Sequence, residues 1–161
     1  MSALSFLLLS EYSETEVMFI LDTTGSMGDE ITYLQKDFSA IAEEVSNGHM
    51  TFSVNFYRDE GDDYVTRCNG FTDDVKSLQS ALNAEYADGG GDTPEAVAEI
   101  LSETMTEIEW REDTNKIAFL ISDAPPHADE HPLRAARQPR RQRSHDAAVL
   151  LAGGQARHLR R

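Results

Sequence analysis

The residues best suited to chemistry are concentrated in one stretch, VMFILDTTGSM, at positions 17–27. Asp22, Thr24 and Ser26 alternate through it, so one carboxylate and two hydroxyls can face a common point. Gly25 lets the backbone turn sharply between them. Such hard oxygen donors suit magnesium, which usually keeps some of its waters. A second carboxylate, Asp123, ends another apolar run, KIAFLIS at 116–122. Between the two runs lies ADGGGDTPEAVAEIL, where Gly89, Gly90 and Gly91 allow a backbone to approach a neighbour closely. Thr93 follows; taken alone, it or Asp92 reads as a helix cap, with Pro94 in the first turn. A single Asp after a strand is ordinarily a turn residue. Two apolar runs that end in the same way, with a hydroxyl-bearing loop between them, point to one shared site.

The elements that must position these residues follow from periodicity. Residues 17–21 form a short apolar run ended by turn signals, which reads as a strand buried on both faces of a parallel sheet. The polar motif then lies past the carboxyl end of a central strand, where open α/β sheets bind their ligands. From 28 to 46, Ile31, Leu34, Phe38, Ile41 and Val45 recur at helical spacing. MTFSVNFYRD alternates at strand period, completing a βαβ unit with a right-handed crossover. A short edge strand is expected at 64–67, a helix at 73–83, and a second long helix at 94–109 with Val97, Ile100, Leu101, Met105 and Ile108 inward. Strand 17–21 should lie between strands 50–57 and 116–122, with the two long helices on opposite faces.

RDEGDD, at 58–63, lacks the acid spacing of a helix–loop–helix calcium loop and reads as a solvated loop. The alternative is that Asp59 lines the rim of the crevice. His127 and His131 have the spacing of a helical zinc clamp, but Pro125, Pro126 and Pro132 argue against a helix there.

The bulk numbers leave room for about one domain in 161 residues. One cysteine, Cys68, excludes an internal disulfide framework. No apolar run approaches the ~18 residues of a membrane span, so no membrane partner is expected. The apolar patch at 3–9 lacks a basic flank and is followed by acids, unlike a signal peptide. Residues 1–132 hold 6 Lys and Arg against 28 Asp and Glu, a charge of −22, which disfavours nucleic acid as a partner of this body. Residues 133–161 hold 8 against 1 and are basic.

The Asp22-Thr-Thr24-Gly-Ser26 motif, the glycine-rich loop with Thr93, and Asp123 after its strand together resemble the von Willebrand factor type A domain. They match its metal-ion-dependent adhesion site, with Thr24 standing where Ser is usual. The YRD, GGGDTPEA and SDAPPH stretches look most like the alpha-kinase-associated and other intracellular members, which leans toward the cytoplasm. The resemblance runs from about residue 16 to 127 and implies a doubly wound, mostly parallel α/β sheet of Rossmann-like type. In that family two more strand–helix units follow. Here the expectation is a truncated domain: a 1–15 extension, a partial domain at 16–132, and a disordered, non-homologous basic tail at 133–161. Residues 147–152 look too brief to replace the missing units, so the edge of the 116–122 strand should stay open to self-association.

The resemblance also implies a mechanism. Asp22, Thr24, Ser26, Thr93 and Asp123 would hold Mg2+ or Mn2+, and the ion would take an Asp or Glu of a partner protein as a further ligand. No base and nucleophile pair adjoins the crevice, so binding rather than catalysis is expected. Two rivals stand beside it. A strand ending in Asp-x-x-x-Ser also resembles the magnesium-dependent phosphatases with a nucleophilic Asp, although Thr24 replaces their general acid. The other is a fragment with no working metal site.

Overall fold

The computed structural model describes residues 14–45, 48–91, 95–125 and 127, and the backbone of 148–152. Its centre is β1 (Thr15–Asp22), whose side chains are buried on both faces as its apolar run requires. Parallel strands flank it on both sides: β2 (Met50–Tyr57) and β4 (Asn115–Ile121). A two-residue β3 (Thr66–Arg67) pairs antiparallel with β2 at the edge. With β5 (Ala148–Ala152) the sheet order is β3-β2-β1-β4-β5. This is the mostly parallel, doubly wound sheet expected from the sequence, with β1 between β2 and β4.

Three helices cover it among the described residues: α1 (Gly28–Val45), α2 (Val75–Ala84) and α3 (Val97–Thr106). Alternation along β1 assigns the faces. Val17 and Leu21 pack with Phe38 and Ala42 of α1 and Leu78 and Leu82 of α2. Met18 and Ile20 pack with Val97, Ile100 and Leu101 of α3. The two long helices therefore lie on opposite faces, as the right-handed crossover demands. Fully burying a side chain such as Ile20 contributes about 2 kcal/mol. Asp74 caps α2 by accepting from the amides of Lys76 and Ser77. At the opposite end of the sheet from the motif, the buried Glu16 accepts from the Arg111 amide and Nε, both at 3.0 Å, and from Thr114 at 2.9 Å. These bonds fix the start of β1 against the segment leading into β4.

Several expectations need correcting. Ile41 and Val45 of α1 are 42% and 45% exposed rather than inward, because the buried stripe runs through Ile31, Phe38 and Ala42 and leaves them outside it. Helix α3 is shorter at both ends than 94–109, since Glu95 and Ala96 precede it in non-helical backbone and the chain turns after Thr106. The 64–67 strand contracts to two residues. Most consequential, residues 148–152 do form a strand, parallel to β4 in the register Ile117↔Ala148 to Ile121↔Ala152. The β4 edge expected to be open is therefore paired, and the run judged too brief extends the sheet by one strand. No helix among the described residues is long and apolar enough to cross a membrane.

Candidate metal centre

Sheet register builds the site. At the carboxyl end of β1, Asp22 pairs with Tyr57 of β2, and Leu21 pairs with Ile121 of β4. One step further, Asp22 comes beside Ser122. All three side chains lie on the α3 face, and they meet. Tyr57 donates its hydroxyl to Asp22 Oδ2 at 3.2 Å, and Ser122 donates to the same oxygen at 3.0 Å. The other oxygen, Oδ1, accepts from the Thr24 amide at 2.9 Å and the Thr24 hydroxyl at 2.7 Å. Asp22 is wholly buried, and these four donors are what allow a carboxylate to stay there. Burial, followed by the Asp22 charge, holds the Tyr57 phenol far above its ordinary pKa, so it remains a donor.

Asp123 enters from β4 one residue past Ser122. Ser26, in the 3-10 turn Gly25–Met27, donates to its Oδ1 at 3.0 Å. The two hydroxyls of the motif thus each lean on one of the two carboxylates, across adjacent parallel strands. The glycine loop closes the top. Gly25 donates its amide to the Gly89 carbonyl at 3.2 Å. Gly90, at φ +65°, passes so close that an added Cβ would stand 2.7 Å from the Thr24 Cβ. The close approach expected of this loop is to the Asp22–Ser26 motif itself. Asp92, Thr93 and Pro94 lie outside the described residues, so the expected ligand Thr93 is not placed.

The RDEGDD loop is not simply solvated. Glu60 and Asp63 are exposed, but Asp59 is buried and pairs with His127 Nε2 at 2.8 Å. Asp62 accepts from the Asp59 amide at 3.1 Å and the Gly90 amide at 2.9 Å, tying this loop to the glycine loop. Asp59 therefore belongs to the rim. His127 has a carboxylate partner there, and His131 lies outside the described residues.

Glu95, at the start of α3, is 2% exposed, and its Oε2 has no hydrogen-bond partner. Burial first, then the charges of Asp22, Asp59, Asp62 and Asp123, push its carboxyl up to about 7. Among the described residues no three His, Cys, Asp or Glu side chains cluster as a metal-holding group by themselves. The donor set instead mixes hydroxyls with carboxylates. Nearby, Glu95 leaves one buried carboxyl oxygen without a partner, within reach of the charges of four aspartates. Such a set fits a hard divalent cation, which supplies the missing positive charge.

A family model described as von Willebrand factor A domain matches residues 16–161. The chain belongs to the von Willebrand factor A domain family. The match extends through 148–152, in keeping with the fifth strand. Among curated relatives, a putative ariadne-like RING finger protein of Acanthamoeba polyphaga mimivirus is 28% identical over 70% of this chain and 11% of its own length. The alpha-protein kinase vwkA of Dictyostelium discoideum is 27% identical over 72% of this chain and 19% of its own. It accords with the branch indicated by the SDAPPH and GGGDTPEA stretches. The chain thus spans a tenth to a fifth of the length of these relatives. Among solved structures, proximal thread matrix protein 1 from the mussel byssus, with a zinc-occupied MIDAS (metal-ion-dependent adhesion site) motif, superposes with a TM-score of 0.64. It is 14% identical, over 88% of this chain and 36% of that one.

For this A domain the structure brings Asp22, Thr24, Ser26 and Asp123 together. It also adds three residues that sequence reading missed. Tyr57 could have been found as the last residue of the strand beside β1, and Ser122 as the neighbour of Asp123. Glu95 carried the signal of an acid two positions after Thr93, at the foot of the glycine loop.

Proposed function

We propose that this A domain is a metal-dependent protein-binding module. Mg2+ or Mn2+ would be held by the hydroxyls of Thr24, Ser26 and Thr93, with Asp22 and Asp123 binding directly or through coordinated waters. A bound ion would supply a positively charged position open to one outside oxygen, and an Asp or Glu of a partner protein is the ligand that suits it. The observation that carries this reading is the pairing of Asp22 with Thr24 and of Asp123 with Ser26 at the ends of adjacent parallel strands. Each hydroxyl is already held by a carboxylate, so its lone pairs are left to face a cation. Binding is favoured over phosphoryl transfer because both oxygens of Asp22 are engaged and it is wholly buried. A nucleophile needs a free oxygen at the surface.

Calorimetry tests this. The wild-type chain should bind Mg2+, and Asp22→Ala should abolish the heat while circular dichroism stays that of a folded α/β protein. A peptide bearing Glu should bind only when Mg2+ or Mn2+ is present. A folded wild-type protein that takes up no divalent ion would sink the proposal.

A further inference from the structure

The RDEGDD loop opens on a buried cation that the five-residue set leaves unused. Arg58, directly after β2, is 1% exposed. Its guanidinium lies over two rings, 4.7 Å from the centre of Tyr64 and 4.9 Å from that of Tyr86. Nη2 donates to the Tyr86 carbonyl at 2.8 Å, whereas Nε meets no acceptor. The carboxylate facing it, that of Asp63, stands 4.0 Å away and is 75% exposed. A buried charge held by ring faces and one carbonyl, with its facing anion in solvent, is a weak stabiliser of the fold. What it fixes is position, since a planar guanidinium packed on rings and bonded to a carbonyl has little freedom.

Tyr86 leads into the loop that covers the Asp22–Ser26 motif. Two residues on, the Asp88 amide donates to the Thr23 carbonyl at 3.1 Å, and the Gly89 carbonyl accepts from the Gly25 amide at 3.2 Å. Asp62, from the same segment as Arg58, accepts from the Gly90 amide at 2.9 Å. The 58–62 segment therefore grips this loop at Tyr86 and again at Gly90, and between those points the loop touches the motif. We infer that Arg58 is a positioning residue of the cation site: its grip on Tyr86 holds the loop across the motif, and so keeps Thr24 and Ser26 in place for the ion. It touches no ion itself. The consequence at the ion rests on the metal-site reading above, but the grip is a property of the metal-free chain.

The test is amide hydrogen exchange by NMR on the metal-free full chain, followed by calorimetry with MgCl2. Arg58→Met keeps the apolar stem and removes the guanidinium. With Asp63 in solvent no buried charge is stranded, so the variant should melt close to wild type. In it the amides of Asp88 and Gly25, which close the loop on the motif, should exchange at least about tenfold faster. The Thr23 amide, held by the Tyr57 carbonyl at 2.9 Å at the end of the β1–β2 ladder, should not change. Mg2+ affinity should fall about threefold to tenfold, as for a change that acts through a neighbour. Equal acceleration at Thr23 would mean that Arg58 only supports the fold, and wild-type exchange at Asp88 and Gly25 that it does not hold the loop; either overturns the inference. Faster exchange with unchanged affinity overturns it as well, and leaves the metal site standing. If Arg58→Met does not melt cooperatively, Tyr86→Ala decides, since it truncates a ring that is 57% exposed. It removes one of the faces on which the guanidinium packs and should act in the same direction; wild-type exchange at Asp88 and Gly25 in that variant overturns the inference too. A wild type that binds no ion overturns the metal reading and with it the role of Arg58 at the ion, and the exchange results separate that failure from a failure of the grip.

Discussion

At the scale of single residues, the site depends on what is missing from Gly90 as much as on what Asp22 carries. Gly90 has φ +65°, a conformation that costs an L side chain of order 1 kcal/mol or more. A Cβ there would also stand 2.7 Å from the Thr24 Cβ and 2.9 Å from Glu95 Oε1. Neither neighbour can retreat easily, since Thr24 is held by two hydrogen bonds to Asp22 and Glu95 is buried. Gly90→Ala should therefore lower stability by about 2 kcal/mol in urea unfolding. It should also weaken Mg2+ binding, because Thr24 is pushed out of place. Gly91→Ala is the control: nothing lies within 4 Å of a Cβ there, so both quantities should stay near wild type. Equal effects from the two variants would mean that loop flexibility, not the contact with Thr24, is what matters. The role of Gly90 was legible in the sequence as a close approach, but its target was not. Spacing says that a backbone can come near something, and only the fold says what.

At the scale of elements, legibility followed burial. β1, β2 and β4 are read from apolar runs because both faces of a central parallel strand demand them. Helices α1 and α3 are read from period, though the inward face of α1 is only partly right: Ile41 and Val45 keep the spacing yet are exposed, and Ala42 is buried instead. β5 is not legible in the sequence because the run at 147–152 is too brief to signal a strand by itself. Its reason is tertiary, since the exposed amides and carbonyls of β4 need a partner. This makes a prediction at the same scale. Leu150, paired with Phe119, lies in the middle of β5, and Leu150→Pro puts there, without changing charge, a residue that lacks an amide and is poorly tolerated inside a strand. The variant should uncover the β4 edge around Phe119 and associate with rising concentration in sedimentation velocity, more than the wild type does. Identical sedimentation of the two proteins would show that β5 does not shield that edge.

For the whole molecule, charge and proposed ligand pull in opposite directions, and the contest can be measured. Residues 1–132 carry −22, so an acidic partner approaches against a repulsive field. That field acts between exposed charges and decays over ~8 Å at physiological salt, whereas a carboxylate bound to the ion is at contact and screened far less. Added salt should therefore remove the obstacle faster than it weakens the bond. For a Glu-bearing peptide and the Mg2+-loaded chain, the association rate in stopped flow should rise with ionic strength, the reverse of ordinary electrostatic steering. Dissociation should change little, since it reports the short-range contact. The basic residues 133–161, at +7, supply the rival outcome. If they capture the peptide, association will slow as salt rises, and Asp22→Ala will leave it unchanged. A rate that rises with salt and vanishes in Asp22→Ala would place the contact at the end of β1.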